Sequence, residues 1–208
     1  HIRQAAHSRS RSADAVLLFT LARTAALINP TVRLPAVVGG QASLNFMGAV
    51  VGPSGSGKTS SGAVARELVP IDRPTIAADL PLGSGEGLVE MYFDYEFVEG
   101  PDGKKVRQKR QVKKSAYVYL DEGQALAEMG NRKGATLLPT LRNAWSGDTI
   151  GQFNASAETR RTIPPHQYRL TLVTGFQPEH AGALIADAAG GTPQRLVFAA
   201  ATDPTIPD

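Results

Sequence analysis

Apolar residues fall in short blocks along this chain, each closed by glycine, proline or charge. In the first block Val16, Leu17, Phe19, Leu21 and Ala25 follow Ser12, which can cap a helix, and precede Asn29-Pro30, which stops one. So apolar a helix requires a buried or docked position. Residues 32–38 and 43–51 read as β-strands parted by Gly39-Gly40, and the second rises into a glycine-rich turn and a helix over 58–68, halted at Pro70. The stretch 70–87 is rich in proline and glycine, and 88–93 reads as a short helical or mixed segment. Residues 95–98 and 106–112 alternate about a turn at 99–103, the pattern of a β-hairpin, and the second arm is strongly basic. An apolar strand over 116–120, a helix over 137–145 ended by Gly147 and a polar hairpin within 152–163 come next. A strand over 170–173, a helix over 181–188 and a strand over 196–200 close the series. Strands alternating with helices predict an α/β sheet with parallel core strands.

With 208 residues, 42% hydrophobic and 20% charged, the chain can bury a core of its own, which excludes a largely disordered protein. The absence of cysteine excludes disulfides and thiolate catalysis, and His1, His7, His166 and His180 show no metal-ligand spacing. A net charge of +3 permits an anionic partner without demanding one. The apolar run 15–22 is far shorter than the roughly 20 residues a membrane span needs. With no signal-peptide pattern and no cysteine, a soluble, cytoplasmic chain without membrane contact is expected. A first residue other than methionine and polar ends suggest a piece of something longer.

The sharpest signal is Gly52-Pro53-Ser54-Gly55-Ser56-Gly57-Lys58-Thr59, which matches GxxxxGK[ST] at every fixed position and sits between a predicted strand and a predicted helix. Glycines let successive N–H groups wrap a phosphate, and the new helix adds its positive end. Lys58 supplies a charge to the β- and γ-phosphates, Thr59 a hydroxyl to Mg²⁺, and Ser60 completes the binding segment. Asp121 and Glu122 close the strand 116–120, which delivers Asp121 to support the metal through a water and Glu122 to polarise an attacking water. A third polar position should end a strand lying between these two in the sheet. Gln177, with Thr174 behind it, fits that place as a sensor of the γ-phosphate, although strand-end capping explains either residue nearly as well. No Asn-Lys-x-Asp string for guanine is present, so ATP is the expected nucleotide.

On these strings the chain resembles the additional-strand, catalytic-glutamate division of P-loop NTPases, whose core is RecA-like; 82–88, 137–142, 175–178 and 191–195 support only a narrower likeness. More narrowly, 45–204 resembles the ATPase modules joined to primase-polymerases and replication proteins of phages and mobile elements. With the pattern along the chain, this gives an expected RecA-like core with a mainly parallel sheet flanked by helices, an N-terminal helical appendage with a lead-in strand over 1–42, and an ATPase domain over 43–208 with a hairpin insertion at about 94–114. The resemblance further implies an Mg-dependent ATPase, a DNA helicase or related DNA-remodelling motor, that works as a homo-oligomeric ring. Such rings complete each site with an arginine from the next subunit, for which Arg195 is the first candidate and Arg160 and Arg161 the alternatives. Glu86 would lie at the sheet's active edge, or merely cap a helix.

Lys104, Lys105, Arg107, Lys109, Arg110, Lys113 and Lys114 crowd the second hairpin arm, opposite Asp94, Glu96 and Glu99. They would either contact nucleic-acid phosphates or pair across the strands on a solvated face. Aromatic residues are nearly absent from the basic arm, which argues against stacking on single strands. The polar start with Arg3, Arg9 and Arg11 reads as a linker. Two other functions compete with the motor: a phosphotransferase acting on a small acceptor, and an ATP-gated switch with little turnover.

Overall fold

The computed structural model describes residues 1–37, 39–99, 103–153 and 161–206. Helices α1 (Ile2–His7) and α2 (Ala13–Leu27) open the chain, followed by two-residue strands β1 (Arg33–Leu34) and β2 (Ala42–Ser43). Strand β3 (Phe46–Val51) leads through the glycine-rich loop to helix α3 (Lys58–Leu68), then to β4 (Ile76–Ala78) and α4 (Gly85–Glu90). Strands β5 (Phe93–Glu99) and β6 (Lys105–Gln111) form the expected hairpin, and β7 (Ser115–Leu120), α5 (Gly123–Asn131) and α6 (Leu137–Ser146) follow. Strands β8 (Ile150–Gln152), β9 (Arg161–Ile163) and β10 (Arg169–Phe176), the short helix α7 (Gly182–Ile185) and β11 (Val197–Ala200) complete the order.

Five strands make one sheet in the order β11-β3-β10-β7-β4, and every pair is parallel. Both faces are covered, which is why β7 is almost wholly apolar and every residue of β10 is buried. Alternation then sorts them: Val50, Tyr117 and Val173 meet α2 on one face, while Met47, Ala49, Val118, Leu170 and Leu172 meet Leu88, Leu126, Leu137 and Leu141 on the other. Helix α2 lies against the sheet because Gly48 has no side chain there; a Cβ would stand 2.8 Å from Leu18.

This packing corrects the expected division at residue 42. Ala15, Leu18, Phe19, Ala22 and Ala26 of α2 share a core cluster with Val50, Ala65, Tyr117 and Val173, so α2 is a layer of the domain and not an appendage. The helix expected over 181–188 is also shorter, giving way to 3₁₀ turns over Ala186–Ala189 with Asp187 out of helical geometry. Elements α1, β4 and α5 have no counterpart among the expected ones. The tip of the hairpin (100–102) and the centre of the polar hairpin (154–160, with Arg160) lie outside the described residues. Among the described residues no helix is long and apolar enough to cross a membrane.

Candidate functional site

In a parallel sheet the strand ends share one edge, and the register places them. Val51 pairs with Phe176, and Leu120 with Thr174, so the loop after β3, the Asp121-Glu122 pair after β7 and Gln177 after β10 emerge side by side. Strand β10 lies between β3 and β7, the position expected of the strand that ends in Gln177. The Gly52 N–H, donating to the Phe176 carbonyl at 3.0 Å, ties the loop to that strand.

Local sequence shapes the loop. Gly55 and Gly57 take φ of +75° and +88°, a region that disfavours side chains, and Gly57 caps α3. Ser56 donates its hydroxyl to the Pro53 carbonyl at 2.8 Å, and Ser60 and Ser61 donate to the Gly57 carbonyl at 3.1 and 2.8 Å. The ammonium of Lys58 bends back over the loop and donates to the carbonyls of Gly52 and Pro53, each at 2.8 Å. A Cβ on Gly52 would stand 2.6 Å from Ser56 Oγ and 2.7 Å from Ala201 Cβ, so the first glycine is required by crowding. Pro53 and Ser54 are exposed on the outer turn.

Across from the loop, Asp121 Oδ1 accepts from the Thr59 hydroxyl at 2.7 Å and from the Tyr119 phenol at 2.6 Å. Burial, and then this hydrogen bond, push the Tyr119 phenol above its ordinary pKa, which keeps it a donor to Asp121. The Tyr119 ring is braced edge-on by Phe19 at 5.2 Å between centroids. Lys58, Asp121, Glu122, Gly123, Gln124, Gly175, Gln177 and His180 line one cleft. Glu122 is exposed and opens α5 without a side-chain capping bond. Gly175 lets the strand ends close up, because a Cβ there would come within 2.6 Å of the Asp121 carbonyl oxygen and 3.4 Å of the Lys58 side chain.

The structure therefore gathers Lys58, Asp121, Glu122 and Gln177 in one cleft, with Thr59 bonded to Asp121. Thr174 is buried in β10 with an unpartnered hydroxyl and does not line the cleft. Glu86 does not line it either. In the first turn of α4 its carboxylate accepts from Thr136 at 2.9 Å and Gln152 at 3.0 Å, and its own backbone N–H is the chief cause of a lowered pKa. Arg195 sits before β11 at the opposite edge of the sheet, donates to the Gly191 carbonyl at 2.7 Å and lies 5.5 Å from the Trp145 ring centroid. Arg161 pairs with Glu90.

Three participants carried no sequence signal of their own. Tyr119 orients Asp121, His180 reaches the cleft from the turn after Gln177, and the Arg11 guanidinium lies where a Cβ on Gly57 would strike it. Arg11 is thus packed on the loop, and Arg9 pairs with Glu67 of α3, so the start of the chain is docked and is not a linker.

As a metal site, Thr59 and Asp121 offer hard oxygen donors, the type Mg²⁺ takes while keeping most of its waters. Among the described residues no group of three or more His, Cys, Asp or Glu could hold an ion. A larger groove, about 700 Å³, lies at the opposite edge against Leu21, Phe46, Trp145, Arg195 and Leu196 and is mainly apolar. No protein-family model and no curated protein matches the chain.

Proposed function

We propose that this chain binds a nucleoside triphosphate, most naturally ATP, at the loop 52–59 and hydrolyses its γ-phosphate on a RecA-like core. The observation that carries this reading is the placement of β10 between β3 and β7, which brings a loop lysine, a hydroxyl–carboxylate pair, an exposed glutamate and an amide to one cleft.

Loop amides and the first turn of α3 take the phosphate anion. Lys58 exchanges the Gly52 and Pro53 carbonyls for phosphate oxygens. Thr59 and Asp121 would hold Mg²⁺, which would supply positive charge to offset the negative charge of the phosphates. The Glu122 carboxylate accepts a proton from water as the water oxygen bonds to the γ-phosphorus. The bond from that phosphorus to the bridging oxygen breaks, and the diphosphate leaves with the electron pair. Gln177 touches the γ-phosphate and passes its loss to β10.

The narrower reading is a DNA helicase or DNA-remodelling motor built as a homo-oligomeric ring. Arg195, on the edge away from its own cleft, is then offered to a neighbour's site. A phosphotransferase would need an acceptor pocket beside the phosphates and a lid. The apolar groove lies at the other edge, and the hairpin is rooted there too, where Gln111 donates to the Gln167 carbonyl at 2.9 Å and Lys113 to the Pro74 carbonyl.

The test is nucleotide binding and turnover of wild type, Lys58→Ala and Glu122→Gln. Glu122→Gln is expected to bind ATP normally and to turn it over about 10²–10⁴-fold more slowly, and Lys58→Ala to lose binding. Specific activity is expected to rise with protein concentration, as a site completed in trans requires. Unchanged hydrolysis by Glu122→Gln refutes the assigned base, and a phosphorylated small product favours the transferase.

A further inference from the structure

Directly opposed residues of an antiparallel pair share a face, and neighbours along a strand alternate. The β5–β6 register therefore sets Phe93, Tyr95, Phe97 and Glu99 beside Gln111, Lys109, Arg107 and Lys105 on one face. Asp94, Glu96 and Val98 stand beside Arg110, Gln108 and Val106 on the other. An acidic arm and a basic arm thus combine into one face with three aromatic rings, three cations and a single carboxylate. The expected lack of aromatics among the basic residues holds along one arm and fails across the pair.

Phe93 packs on the core at the root, whereas Tyr95 is 48% and Phe97 71% exposed. The Arg107 guanidinium stands 3.9 Å from the Tyr95 ring centroid, and Lys109 stands 5.7 Å from it while pairing with Glu90. Glu90 also holds Arg161, so the lower part of the face is braced against the domain. Glu99, the one acid on this face, is in register with Lys105.

We propose that this face, centred on Tyr95, Phe97 and Arg107, binds single-stranded nucleic acid. Bases stack on the exposed rings, and Lys105 and Arg107 follow the phosphodiester chain. Unpaired bases are required because a duplex hides the π-faces that a flat ring can meet. Alternating ring and cation also selects a polyanion with a planar group at each unit, which charge alone would not. The inference rests on the nucleic-acid part of the motor reading and does not depend on nucleotide hydrolysis.

The experiment is fluorescence anisotropy of labelled oligo-dT, oligo-rU and a duplex, each of ~16 units, with the intact chain in chelator and without nucleotide. Wild type is expected to bind a single strand more tightly than the duplex. Phe97→Ala should weaken binding about 10-fold or more, and Phe97→Trp should restore it. Arg107→Gln should lower the slope of log affinity against log salt by about 0.7, and Gln108→Ala on the opposite face should change nothing. Either preference, for dT or for rU, supports the face and assigns the sugar. Failure to bind a single strand, equal or tighter duplex binding, or unchanged binding by a folded Phe97→Ala overturns the proposal. A change in self-association on Phe97→Ala, with oligonucleotide binding intact, overturns it in favour of a protein contact. Because no ATP is present, a failed ATPase assignment at Glu122 leaves this result readable, and the reverse holds.

Discussion

Gly175 shows how one absent side chain sets the chemistry available at the cleft. It is the next-to-last residue of β10 and faces Asp121, whose carbonyl oxygen is backbone and cannot swing aside from a Cβ at 2.6 Å. Gly175→Ala is therefore expected to cost about 1–3 kcal/mol and to push the loop and the carboxylate strand apart. Gly83→Ala, with nothing within 4 Å of the added carbon, should stay within about 0.5 kcal/mol. Thermal unfolding measures both, and nucleotide affinity should fall only for Gly175→Ala. Lys58, Thr59, Asp121 and Glu122 were legible because short-range spacing along the chain constrains them. Arg11 was not, since it reaches the loop through docking of the chain start, and Tyr119 and His180, though within three residues of Asp121 and Gln177, were marked by no motif.

Among the elements, the join between β2 and β3 replaces what reads as one strand over 43–51. Asn45 is the cause: its side-chain N–H₂ donates to the Ala144 carbonyl at the end of α6 at 2.5 Å, and its side-chain oxygen accepts from the Leu170 N–H at 3.0 Å. The Ala144 carbonyl also accepts from the Gly147 N–H at 3.0 Å, whereas the Leu170 N–H relies on this buried amide. Asn45→Ala should cost about 1–3 kcal/mol, chiefly for the Leu170 N–H left unpaired, and Asn45→Asp should not fully rescue it, because a carboxylate cannot donate to the Ala144 carbonyl it would face. Chemical denaturation checks both. The hairpin, α3 and α6 were legible from alternation, a glycine-rich start and a terminal Gly147 with φ of +81°. Strand β4 was not, being three residues long in a proline-rich stretch and ordered by pairing to β7 and by packing of Ala77 in the core. Helix α5 was hidden because it begins and nearly ends in glycine, and Leu126 packed in the core is what holds it.

Three buried tyrosines and the half-buried Tyr119 couple the fold to alkaline pH. Burial is the main cause that raises the phenol pKa of Tyr92, Tyr117, Tyr119 and Tyr168. Below about pH 10 these phenols are protonated in both states, and no stability is lost through them. Above it the unfolded chain gives up protons that the folded chain retains, so stability falls as pH rises towards the raised values. With the exposed fifth tyrosine removed by Tyr95→Phe, tyrosinate absorbance is expected to appear in one cooperative step together with loss of circular dichroism; stepwise ionisation of that folded variant would refute the burial. Tyr92 has a further duty, donating its hydroxyl to the carbonyl of Arg169 at 3.0 Å. Arg169 is itself fully buried and donates to the carbonyls of Asn29 and Val32 at 3.1 and 2.9 Å, which fastens the exit of α2 to the start of β10.

Spacing along the chain was enough to specify the phosphate-type loop, the acidic pair, the α/β alternation and a basic hairpin, since each depends on residues within one turn or one strand of each other. Folding in three dimensions settled which strands are neighbours, that α2 is a wall of the core, and that aromatic rings from one hairpin arm stand among cations from the other. Those outcomes follow from strand register and from burial of apolar faces between residues distant in sequence, and no local pattern encodes them.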